Sequence, residues 1–174
     1  MSKTSDNIKP LSEKEVRIIS ELEFNKKYYF TKEDIMHHFD SQSKLNYTIH
    51  RLIKKKRIVK LNRNKYYLVP IIAKTGQWTD ESFIIADEMF NSNNYYVGGW
   101  AAANYWRLTD QVPMKIEVYT NKRNGAVEIL STTFIFRKTT QKRLDNVVTK
   151  KIKNHTFRIL NKRDAQEWIK SRNY

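Results

Sequence analysis

The chain has 174 residues, of which 40% are hydrophobic and 13% aromatic, enough to build a core and to exclude a wholly disordered protein. It has no cysteine, which excludes disulfides, iron–sulfur clusters, thiolate zinc sites and a cysteine nucleophile. A formal net charge of +15 favours a polyanionic partner, whether nucleic acid or an anionic surface. No stretch approaches the roughly 18–20 apolar residues that span a bilayer. The opening MSKTSDNIKPLSEKE lacks the apolar centre of a signal peptide. The expectation is a cytoplasmic protein with no membrane partner.

The charge is unevenly spread. Residues 1–70 carry 16 Lys or Arg against 8 Asp or Glu, residues 71–136 carry 5 against 7, and residues 137–174 carry 12 against 3. A near-neutral middle between two basic ends predicts two modules, 1–70 and 71–174, with a boundary between Pro70 and Asp80.

In the first module Ser12 and Glu15 form a Ser-x-x-Glu capping box ahead of Val16, Ile18, Ile19 and Leu22, which predicts a helix over 13–23. Tyr28, Tyr29 and Phe30 lead toward a second helix, capped by Thr31, with Glu33 and Asp34 in its first turn and Ile35, Met36 and Phe39 on its apolar side. A third helix begins at Ser41 or Ser43. Its Leu45, Ile49, Leu52 and Ile53 fall at i, i+4, i+7 and i+8. The opposite face offers Ser43, Lys44, Asn46, Tyr47, His50, Arg51 and Lys54, side chains that can reach phosphates or base edges. From Arg51 to Lys65 there are eight Lys or Arg and no acid. The period then changes to an alternation through Ile58–Leu61 and Tyr66–Val69, separated by Asn62-Arg63-Asn64-Lys65, which predicts a hairpin with a basic tip.

Helices followed by a basic hairpin are the layout of a winged helix-turn-helix, whose third helix enters the major groove of double-stranded DNA. On that reading Lys55 and Arg57 at the helix end, and Arg63 and Lys65 at the wing, face phosphates and bind by counterion release. Tyr66 and Tyr67 read as wing-to-core packing.

The second module opens with Thr79, Asp80 and Glu81 ahead of a helix through Phe83, Ile84, Ala86, Met89 and Phe90. Tyr95–Val97 is a short apolar piece, Gly98-Gly99 a turn or helix start, and Trp100–Trp106 a helix of alanines and large aromatics. Strands are expected over 114–121, 127–137 and 156–160, and a C-terminal helix over 164–171. The basic run 142–153 is a loop or a turn of helix. The fold class expected is α+β, a winged helix-turn-helix followed by a small domain of helices and an antiparallel sheet.

The segment YYVGGWAAANYWRLTDQVPMKIEVYTNKR, Tyr95 to Arg123, resembles the segment that marks AbiE-type antitoxins of abortive-infection systems. Leu108-Thr109-Asp110-Gln111-Val112-Pro113 is its most specific part, and Lys65–Pro70 resembles the end of the wing in that family. The resemblance implies an autorepressor that binds repeats in its own promoter and counteracts a toxin of the nucleotidyltransferase type. Members continue after the last strand into an acidic, leucine-rich helical segment. Here the sequence reads FRILNKRDAQEWIKSRNY instead, which implies a short member.

Enzyme signatures are weak. Gly98-Gly99 is not followed by the paired acids of a nucleotidyltransferase, Glu117 and Lys122 lack nuclease spacing, and no phosphate-binding glycine loop is present. His37 and His38 are adjacent on a helix and are expected to diverge, a poor arrangement for a metal. No catalytic residue, cofactor or metal is therefore expected. Asp110 and Gln111 fix a turn or contact a partner. The alternatives to a DNA-binding regulator are a protein-interaction module with a basic surface and a nucleic-acid-processing enzyme.

Overall fold

A computed structural model describes residues 10–70, 82–130 and 132–172. The polar start of the chain up to residue 9, the expected boundary after Pro70, and Thr79, Asp80 and Glu81 as a helix opening lie outside the described residues. The chain divides into two units, Met1–Trp78 and Thr79–Tyr174.

The first unit starts with α1 (Glu13–Phe24). Its capping box forms as the sequence predicts: Glu15 N–H donates to Ser12 Oγ at 3.4 Å, and Ser12 N–H donates to the Glu15 carboxylate at 2.6 Å. Tyr29–Thr31 leads into the second helix, but not as plain chain. It is a strand, β1, because its backbone pairs antiparallel with β3 (Lys65–Leu68). The second helix is a 3-10 helix, Glu33–His38, and Thr31 does not cap it. The Thr31 N–H and hydroxyl both donate to Asp34, at 2.7 and 3.1 Å. Burial pushes the Asp34 carboxyl up, but hydrogen bonds from Lys27 and Thr31 outweigh it and hold the group below its ordinary value.

Ser41 accepts from Lys44 N–H at the start of α2 (Gln42–Lys54), which buries Leu45, Ile49 and Leu52. β2 (Ile58–Lys60) and β3 form the expected hairpin, with Ile58 opposite Leu68. Asn62 Oδ1 closes its turn by accepting from the N–H groups of Asn64 and Lys65, both at 2.9 Å. The sheet order is β1-β3-β2. The core of the unit joins Ile18, Ile19 and Leu22 of α1, Phe30 of β1, Ile35 of the 3-10 helix, the α2 stripe, and Ile58, Tyr66 and Leu68 of the hairpin. Tyr66 and Tyr67 are both buried.

The second unit contains α3 (Ser82–Phe90), β4 (Tyr95–Gly98), α4 (Gly99–Tyr105), β5 (Lys115–Thr120), β6 (Gly125–Ile129), β7 (Thr132–Lys138), α5 (Gln141–Asp145), β8 (Val148–Ile152), β9 (His155–Ile159) and α6 (Lys162–Lys170). Its sheet has the order β6-β7-β5-β4-β9-β8. It is mixed, not antiparallel: β5 runs parallel to β7 and β4 parallel to β9. The expected strand 127–137 is two strands. β6 and β7 pair with each other, with Ile129 opposite Thr132, and Leu130 at the turn has φ 56°. The basic run 142–153 holds most of α5 and all of β8.

β4 is central and buried along its whole length, which explains its unbroken apolar sequence. α3 packs on β4 and β9, and α4 packs on β4, β5 and α6. Phe157 receives Phe83 in a stack at 4.9 Å and the edge of Tyr105 at 5.5 Å. Tyr95 O–H donates to the buried Asp87 at 2.6 Å and accepts from Arg158 N–H at 3.0 Å, tying α3 to two strands. The chain is a mixed α+β protein in which, among the described residues of each unit, a helix comes first. Among the described residues no helix is long and apolar enough to cross a membrane.

Candidate nucleic-acid interface

α2 has two faces. Leu45, Ile49 and Leu52 point into the core, and Ser43, Lys44, Asn46, Tyr47, His50 and Lys54 are exposed. Tyr47 is 63% exposed, a large ring with no place in the core. The Arg51 guanidinium lies 5.7 Å from the centre of that ring. Asn46 Oδ1 accepts from Lys32 Nζ at 2.7 Å and from Gln42 Nε2 at 3.4 Å, so its carbonyl end is held from within the fold. Lys44 Nζ donates to Asp40 at 2.7 Å in an exposed i, i+4 pair. Arg63 is exposed at the hairpin turn and Lys65 is half-buried at the start of β3.

Two residues expected at the interface belong to the interior. The Lys55 side chain is 7% exposed; its Nζ donates to Glu15 Oε2 at 2.6 Å and to the Pro10 carbonyl at 2.7 Å. Arg57 is 9% exposed, and its Nε has no hydrogen-bond partner among the described residues. The cause is the way the helix ends. Lys56 takes a left-handed conformation, φ 56°, its N–H donates to Ile53 O, and Arg57 N–H donates to Leu52 O, both at 2.9 Å. This is a Schellman ending, and it turns the basic run so that Lys54 and Lys56 stay outside while Lys55 and Arg57 turn in.

The pair that receives Lys55 is anchored at a residue the sequence marked only as a cap. Glu15 is 1% exposed. It joins the N-terminus of α1 to the C-terminus of α2 through Lys55, and Arg51 Nε stands 3.4 Å from its other oxygen. Burial alone would push the Glu15 carboxyl up, but the hydrogen bonds from Lys55 and Ser12 prevail and hold it below its ordinary value.

His37 and His38 do not diverge as their adjacency suggests. Their ring centres are 4.2 Å apart, and both Nε2 atoms face the carboxylate of Glu21 on α1, at 3.0 Å for His37 and 2.8 Å for His38.

In the second unit, an open cleft of about 870 Å³ is lined by Tyr96, Tyr119, Arg137, Lys142, Arg143 and Trp168, among others. Tyr96 and Tyr119 stack across β4 and β5 at 5.0 Å, their rings nearly parallel. Glu117, weighed above as a nuclease acid, accepts from Arg137 at 2.9 Å and from Tyr119 O–H at 3.0 Å. The basic C-terminal run is partly internal: Arg158 donates to Leu144 O at 2.6 Å, and Lys150 Nζ lies 5.2 Å from the Trp106 ring centre. In the Leu108–Pro113 motif, Thr109 Oγ1 accepts from Gln111 N–H, and Asn104 Nδ2 donates to Gln111 O, so the segment is a built turn with Asp110 exposed.

No protein-family model matches the chain, and no curated protein matches it. The fold is similar to that of the RV2827C protein from Mycobacterium tuberculosis, with a TM-score of 0.51 and 12% sequence identity. The match covers 75% of this chain and 47% of that one, so this chain spans less than half the length of the solved protein.

Proposed function

We propose that the chain is a sequence-specific DNA-binding transcriptional regulator whose N-terminal unit is a winged helix-turn-helix. The 3-10 helix and α2 are its helix pair, α2 is the recognition helix, and the β2–β3 hairpin is the wing. The observation that carries this reading is the polar face of α2. A continuous row of exposed donors, Ser43, Asn46, Tyr47, His50 and Lys54, stands opposite the stripe that builds the core, followed in the chain by Arg63 exposed at the hairpin turn. Base edges in the major groove are read by side chains of this kind, and phosphates by the lysines and arginines. Lys55 and Arg57 are not among the contacts.

The finer part of the proposal is an antitoxin-like autorepressor of the cytoplasm. It binds repeats in its own promoter and counteracts a nucleotidyltransferase-type toxin. This part rests on the likeness of Tyr95–Arg123 and Lys65–Pro70 to AbiE-type antitoxins.

The test is a titration of the purified chain against duplex DNA from upstream of its own gene and against a scrambled duplex, at two salt concentrations. Preferential binding to the upstream duplex is expected. Asn46→Ala and His50→Ala should relax the preference by about 1–3 kcal/mol at the base they read, whereas Lys54→Ala and Arg63→Ala should weaken both duplexes alike. Equal, weak binding to both duplexes that vanishes at the higher salt would leave a generic basic surface and put a protein-interaction module first.

A further inference from the structure

We infer that Glu21, His37 and His38 form a binding site for one divalent transition-metal ion of the zinc class, outside the DNA-binding face. One side chain comes from α1 and two come from the end of the 3-10 helix, and their ligand atoms all lie within 4.8 Å of one another. His37 Nε2 is 3.0 Å from Glu21 Oε1 and 3.3 Å from Oε2, and His38 Nε2 is 2.8 Å from Oε2. Two ligands each about 2.1 Å from a tetrahedral zinc ion stand about 3.4 Å apart, so each histidine nitrogen needs to draw back from the Glu21 carboxylate by only about half an ångström to admit one.

A second observation concerns the burial of one nitrogen. The Nε2 of His38 is shielded from solvent and, apart from the Glu21 carboxylate 2.8 Å away, finds no hydrogen-bond partner among the described residues. An imidazole nitrogen facing a carboxylate can share a proton with it or, when neutral, offer its lone pair to a Lewis acid. Imidazole and carboxylate donors suit zinc, cobalt(II) or nickel(II) better than magnesium or calcium, which prefer an all-oxygen shell. The His37 side chain is 56% exposed and that of Glu21 38%, so the ion can enter, and a fourth position is left to water.

Bound metal would tie α1 to the first helix of the proposed helix-turn-helix pair. The site does not depend on the DNA-binding reading, and its test is separate. The full chain is titrated with cobalt(II), whose visible d–d absorption reports a tetrahedral nitrogen–oxygen site, and its thermal unfolding is followed with zinc chloride and with EDTA. One cobalt(II) per chain and a higher Tm in zinc than in EDTA are expected. His37→Ala and Glu21→Gln should each weaken cobalt(II) binding more than about 10-fold, since each removes one of three ligands. Glu21→Gln is nearly isosteric and half-exposed, so its fold is retained. His50→Ala, which removes an imidazole elsewhere, should leave the spectrum unchanged. No d–d absorption, or equal absorption in wild type and Glu21→Gln, would overturn the site.

Discussion

Glu15 shows how one residue can carry two structural duties. Its backbone and carboxylate complete the cap of α1, and the same carboxylate is the buried partner of Lys55. Removing one member of a buried pair leaves the other charged and without its counterion, which costs about 3–5 kcal/mol. Glu15→Gln should therefore lower stability by about 3 kcal/mol at neutral pH, read from urea unfolding. The pH dependence has a definite sign. The folded carboxyl titrates below its ordinary value of 4.5. Its contribution is full above that value and disappears as pH falls through the depressed folded value. The gap between wild type and Glu15→Gln should thus close in acid. A gap that stayed constant across the titration would show that the loss comes from packing alone. The sequence displays Lys54–Arg57 as one basic run, and periodicity cannot tell which members turn inward. That depends on the single left-handed residue Lys56.

At the scale of elements the same ending recurs. α1, α2 and α4 are each followed by a left-handed residue, Lys26, Lys56 and Arg107, with the following N–H returning to the last turn. None of these residues is glycine, so the usual mark of a helix end is missing from the sequence. A lysine in this conformation is strained by about 1–2 kcal/mol. Lys26 is exposed and lies outside the proposed interface, so Lys26→Gly should raise the unfolding midpoint, by about 1 kcal/mol in stability. An unchanged or lower midpoint would refute the strain. Gly99 is the opposite case: its φ is +57°, and a Cβ there would fall on the carboxylate of Glu117. Gly99→Ala should cost at least about 2 kcal/mol and is checked by the same unfolding measurement.

The elements read correctly from sequence were those with a strong local signal: the capping box and stripe of α1, the stripe of α2, and the alternation with its Asn62 turn. Those misread lacked one. β1 has three residues, too few to show a period, and it exists because β3 pairs with it. The turn between β6 and β7 carries Leu130 in a left-handed conformation instead of Asn-Gly, and so the hairpin reads as one long strand. Adjacent residues on a regular α-helix diverge, which is what adjacency predicts for His37 and His38, whereas the segment is a 3-10 helix that ends at His38.

For the whole molecule, the decisive quantity is the charge that reaches solvent, and the formal +15 overstates what one DNA site can engage. Of the residues expected to meet phosphates, Lys54 and Arg63 are exposed, Lys44 already holds Asp40, and Lys55 and Arg57 are interior. If a site neutralises about four phosphates, affinity should fall about 100-fold between 50 and 200 mM salt. A fall of 10⁴-fold or more would require further cations to take part. The strand order of the larger sheet is not legible locally, because β4 pairs with the distant β9, Val97 against Ile159.

That contact has a consequence during synthesis. β4 gains its antiparallel neighbour β5 soon after it is made, but its other edge waits for β9, about 60 residues later. At roughly 5–20 residues per second the ribosome takes about 3–12 s to deliver it. For that interval the nascent chain presents Tyr95-Tyr96-Val97 with an open hydrogen-bonding edge, the stretch a holding chaperone would be suited to cover until β9 arrives.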